Sequence, residues 1–86
     1  SVQGNVSLDA GLGDLNNQAG KILAAQDLTL SAQNLDNQSG LISAQKKLAL
    51  KVQKLNNLKG QIQSGDAIEI MGQSLNNQGG SIETNA

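Results

Sequence analysis

Seven carboxylates, six basic residues and a set of evenly spaced asparagines carry most of the chemical potential of this 86-residue sequence. Nucleophile-and-base chemistry needs His, Cys or an activated Lys. Histidine and cysteine are both absent. That removes the usual general base near neutral pH, the commonest metal ligand, and all disulfide and thiolate chemistry. The calcium-binding nonapeptide G-G-x-G-x-D does not occur, and the only Gly-Gly is Gly79-Gly80. No aromatic residue offers a platform for a sugar ring, and no Arg accompanies the lysines. A polysaccharide-cleaving enzyme is therefore the least favoured reading. The expectation is a non-enzyme with no catalytic residue, cofactor or metal.

Five of the six basic residues crowd into one stretch: Lys46, Lys47, Lys51, Lys54 and Lys59, with no acid among residues 41–60. Such a belt could grip an anionic polysaccharide or a sulfated glycan on a host or target cell. A solvated face, with Asp27 and Asp66 offsetting two of the five, is the preferred reading. The net charge of -1 gives no bulk attraction to nucleic acid. No run of about 18 apolar residues exists, so no membrane insertion is expected. No charged segment followed by an apolar one opens the sequence, so an export signal would lie on sequence outside it. Asn5-Val6-Ser7 and Asn37-Gln38-Ser39 match the N-glycosylation pattern, which is common by chance.

The elements that must hold these groups follow a strict ruler. Leu15-Asn16-Asn17-Gln18-Ala19-Gly20-Lys21-Ile22 returns at Leu35–Ile42, Leu55–Ile62 and Leu75–Ile82, each copy reading L-x-N-x-x-G-x-I and starting 20 residues after the last. A fixed period of this size marks stacked repeats. Other columns obey it: Leu8, Leu28, Leu48, Ile68; Ala10, Leu30, Leu50, Ile70; and Val2, Ile22, Ile42, Ile62, Ile82. The coils are 1–20, 21–40, 41–60 and 61–80, with 81–86 beginning a fifth. No atypical cap closes either end, as expected for a single repeat segment of a longer array. Against this ruler Asp9, Asp14, Asp27, Asp36, Asp66, Glu69 and Glu83 scatter over the columns, so a paired-carboxylate site is not expected.

The columns scatter around a helical wheel, but they alternate as strands. Leu28-Thr29-Leu30-Ser31-Ala32 and Leu48-Ala49-Leu50-Lys51-Val52 are apolar at every second residue, and Ile22 and Ala24 point one way in a second run. A third inward pair, Leu35 and Asn37, precedes Gly40. Such strands pair with their own copies one coil later, giving an all-β parallel β-helix, or β-solenoid, of about four coils. A leucine-rich repeat competes at this period. However, Asn37 lies seven residues after Leu30 rather than three, and no helix-forming segment follows.

Stacking assigns roles to the columns. Asn17, Asn37, Asn57 and Asn77 are predicted to pass amide hydrogen bonds from coil to coil. Gly20, Gly40, Gly60 and Gly80 are placed where the chain turns with positive φ or passes close to itself. Asp27 with Lys47, and Lys46 with Asp66, are predicted surface ion pairs. Leu23, Leu41 and Leu58 sit at outward positions, as single leucines often do. The open ends would seat neighbouring repeats of the same chain or a second copy stacked end to end.

The units Leu35-Asp36-Asn37-Gln38-Ser39-Gly40-Leu41-Ile42 and Leu48-Ala49-Leu50 resemble filamentous haemagglutinin repeats. The resemblance covers the whole chain in four in-phase copies. It implies a right-handed β-helix within a large secreted exoprotein of Gram-negative bacteria, exported by a two-partner system and held at the cell surface. It further implies the rod of an adhesin or the stalk of a contact-dependent growth-inhibition toxin. No catalytic residues belong to such repeats.

Overall fold

In a computed structural model, residues 4–84 are described. Val2, expected to head the Ile22 column, and Asn85 and Ala86 of the fifth coil lie outside them. Every element among the described residues is a strand: β1 (Val6–Asp9), β2 (Asp14–Asn16), β3 (Lys21–Ala24), β4 (Leu28–Asp36), β5 (Leu41–Ala44), β6 (Leu48–Asn56), β7 (Gln61–Ser64), β8 (Ile68–Met71), β9 (Ser74–Asn76) and β10 (Ser81–Thr84).

All pairings are parallel and run from coil to coil. One sheet has the order β3-β5-β7-β10. The other has the order β1-β4-β6-β8, with β2 on β4 and β9 on β6. Leu28 pairs with Leu48, Leu30 with Leu50, and Ile42 with Ile62, each one sequence period apart. The fold is therefore a β-solenoid of about four turns of roughly 20 residues. Inward residues of both sheets meet in one core that includes Leu28, Leu30, Leu35, Ile42, Leu48, Leu50, Leu55 and Ile62.

The alternation changes phase inside the long strands. Leu28, Leu30 and Ala32 face in, and the next buried residue is Leu35. The chain turns a corner at Gln33 and Asn34, and Gln33 drops out of the β4–β6 register. The run that begins at Leu28 or Leu48 and the run that holds Leu35 or Leu55 are thus one bent strand in the middle coils. They are separate strands in the first and last.

The first coil departs from the sequence columns. Val6 pairs with Leu28 and Leu8 with Leu30, two residues out of step with the repeat, whereas Asp14 pairs with Asn34 in step. Leu8 therefore does not stack on Leu28, nor Ala10 on Leu30. The two surplus residues are taken up by a turn at Gly11-Leu12-Gly13, closed by Gly13 N–H to the Ala10 carbonyl (2.9 Å). Gly11 supplies φ 59° there, and Leu12 is left 90% exposed.

The expected ion pairs are also replaced. The Asp27 carboxylate accepts the backbone N–H of Lys47 at 3.0 Å, not its ammonium. Lys46 and Asp66 are joined through the backbone, Asp66 N–H to the Lys46 carbonyl at 2.9 Å. The exposed bend has backbone donors to satisfy, and a short carboxylate reaches them without ordering a long lysine.

Candidate functional site

The asparagine column links all four coils through one continuous set of side-chain hydrogen bonds. Leu35 and Leu55 are buried in the core and Leu15 packs half-buried against it; two residues later come Asn17, Asn37 and Asn57, all buried. Asn17 Nδ2 donates to Asn37 Oδ1, Asn37 Nδ2 to Asn57 Oδ1, and Asn57 Nδ2 to Asn77 Oδ1, each at 2.7 Å. The second N–H of each amide goes to a main-chain carbonyl 24 residues on: Leu41 at 3.1 Å, Gln61 at 3.1 Å and Ser81 at 3.2 Å. Both donors are used, which removes the penalty for burying the amide. Among the described residues, no buried side-chain polar atom lacks a partner.

The backbone bends around this column. The Gly20, Gly40, Gly60 and Gly80 N–H groups donate to the carbonyls of Asn17, Asn37, Asn57 and Asn77, each at 3.0 Å. The positive φ of these turns falls one residue before the glycine: Ala19 57°, Ser39 58°, Lys59 57° and Gly79 67°. One positive φ at the third turn position is the type II pattern. The glycine is needed for space instead. A Cβ on Gly40 would meet Asn37 Oδ1 at 2.6 Å and also overlap the Asn17 carbonyl oxygen.

A neighbouring column escaped the sequence reading. The side chains of Asn16, Asp36, Asn56 and Asn76 each accept the backbone N–H two residues on, at 2.8, 3.0, 3.2 and 3.1 Å. These are Asx turns that set up the bend. An Asn or Asp just before the Asn of the repeat was the available signal. Outside, Gln18 Nε2 donates to Gln38 Oε1 at 3.2 Å, and Leu58 interrupts that row.

The five lysines of residues 41–60 are all exposed. Lys46 and Lys47 lie on the bend before β6, Lys51 and Lys54 on β6, and Lys59 on the bend after it. Lys51 borders a depression with Gln53, Met71 and Gln73, while Lys54 borders another with Asn34, Asp36 and Ser74. No group of three or more acidic residues that could hold a metal occurs among the described residues. Asn37, the second glycosylation match, is fully buried in the ladder.

A stack of parallel coils held by an internal amide ladder defines a β-solenoid repeat segment. The haemagglutinin repeat family matches residues 1–86, and the chain belongs to it. This is the family of filamentous haemagglutinin repeats found in two-partner-secreted adhesins. It is a family of structural repeats of secreted, surface adhesin-type proteins, not of enzymes. No curated protein and no solved structure matches the chain.

Proposed function

We propose that the chain is a length of rod within a large bacterial surface exoprotein, holding an adhesive or toxic tip away from the cell. Two-partner export, tethering at the outer membrane and service as a contact-dependent inhibition stalk belong to the same reading. The observation that carries it is the coil-to-coil pairing of both sheets with one short ladder bond per turn. A coil added to such a stack lengthens it by about 4.8 Å and leaves its cross-section unchanged.

The outermost strands carry unpaired edges, and Met71 and Leu75 are exposed on one end. Neighbouring repeats of the parent chain fill those edges, and a second copy stacks there when they are missing. Small-angle scattering on chains with four, six and eight coils tests the rod. Length growing linearly at constant cross-section supports it, and a globule growing in all directions overturns it.

A second reading makes the lysine-rich coil an adhesive module for glycans or other polyanions. It is favoured by the exposure of Lys46, Lys47, Lys51, Lys54 and Lys59, none in an ion pair. Retention on heparin that falls when Lys51, Lys54 and Lys59 become Gln supports it. Retention indifferent to those changes, or none at all, rejects it.

A further inference from the structure

We propose that the first coil has two seats on the second, two residues apart, and moves between them with Leu12 as the indicator. In the seat described, Val6, Leu8 and Ala10 lie beside Leu28, Leu30 and the Ala32 position, and Leu12 stands in solvent on its turn. In the other, β1 slides by two residues. Leu8, Ala10 and Leu12 then lie beside Leu28, Leu30 and Ala32, as the sequence period alone places them.

A slip of one residue would turn every side chain over, but a slip of two keeps the inward set apolar. The sequence is apolar at all four positions, Val6, Leu8, Ala10 and Leu12, so it fits both seats. Gly11 and Gly13 flank Leu12, and glycine adopts turn and extended conformations alike. The strand can thus straighten without a Cβ clash at either hinge. Among the described residues β1 pairs with β4 alone.

The two seats differ in a few bonds. The present one has Asn5 Oδ1 on the Asp27 N–H (3.0 Å), the same role that Asp27 plays toward Lys47. It also has Gly11 N–H on Asp9 Oδ1 (2.8 Å) and the Ala10–Gly13 turn bond (2.9 Å). The alternative gives these up, buries Leu12 and releases Val6, which is only half-buried now. A partner with an apolar pocket for Leu12 would hold the first seat. A strand added to the free edge of β1 in step with the repeat would hold the second.

The chain contains no cysteine, so pairs can be introduced cleanly. Asp9→Cys with Ser31→Cys reports the present seat, since Asp9 and Ser31 are register partners. Asp9→Cys with Thr29→Cys reports the other, because residues two positions out of register on neighbouring strands are beyond about 7 Å and cannot bridge. Both pairs lose the Asp9 turn bond equally. Under mild oxidation both crosslinks are expected to form in the 86-residue chain. Leu12→Asn should suppress the Thr29 crosslink several-fold, and Asn5→Ala should raise it. A Thr29 pair that stays reduced overturns the proposal, as does one that forms regardless of Leu12. Methyl nuclear Overhauser spectra of the unaltered chain give a second reading free of variants. Contacts from Leu12 to Ala32 beside those from Leu8 to Leu30 support two seats. Leu12 methyls with no core contact contradict them.

Discussion

Asn37 shows what one ladder residue does. It accepts from Asn17, donates to Asn57 and to the Gln61 carbonyl, and is fully buried. Asn37→Ala leaves the Asn57 amide oxygen without a donor and opens a small cavity. A loss of about 3 kcal/mol is expected, read by chemical denaturation. Asn77 closes the ladder at a half-buried position, and Asn77→Ala should cost only about 1 kcal/mol. Gly60→Ala should cost about 3 kcal/mol or more, because its Cβ would overlap the Asn37 carbonyl and the Asn57 amide oxygen. Gly79→Ala, whose Cβ would meet only the flexible Lys59 side chain at an ordinary 3.4 Å, but at φ 67°, should cost about 1 kcal/mol. The glycine column was legible in the sequence as a position that excludes side chains. Which residue of the turn carries positive φ was not legible. Ala19, Ser39 and Lys59 hold that conformation without being glycine, because the turn around them is fixed by the ladder and by the Asx bonds.

At the scale of the strand, burial separates the middle of the stack from its ends. Leu50 on β6 is fully buried, and Leu50→Ala is expected to cost about 3 kcal/mol. Leu75 occupies an inward column on β9 but is 56% exposed, so Leu75→Ala should cost under about 1 kcal/mol in the same denaturation series. Adding a coil that covers β9 should raise the second figure toward the first. The alternation of Leu28, Leu30 and Ala32 placed these strands correctly from sequence, because period 2 is dictated by the pleat. Two features were hidden for the same reason. The corner at Gln33 and Asn34 shifts the phase by one residue between Ala32 and Leu35, and no Gly or Pro marks it. The first strand sits two residues out of step, a displacement to which an alternating pattern is blind.

Across the whole molecule, the stack is held by ladders rather than by charge. Asp27 caps the Lys47 backbone amide and the lysine ammonium groups form no ion pair, so moderate salt should leave the unfolding midpoint nearly unchanged. A midpoint that falls steeply with salt would point to ion pairs instead. The exact repeat made the solenoid legible before any coordinate. Every coil uses the same inward Leu, Asn and Ile, and identical residues can stack without conflict only in parallel register. The most direct test of that register is a through-hydrogen-bond coupling experiment on labelled chain. Couplings should join the Leu48 N–H to the Ala67 carbonyl and the Asn57 N–H to the Asn76 carbonyl, bonds of 3.0 and 2.7 Å across successive coils. Couplings that instead join each amide to a hairpin partner within its own 20 residues would contradict the stacked coil.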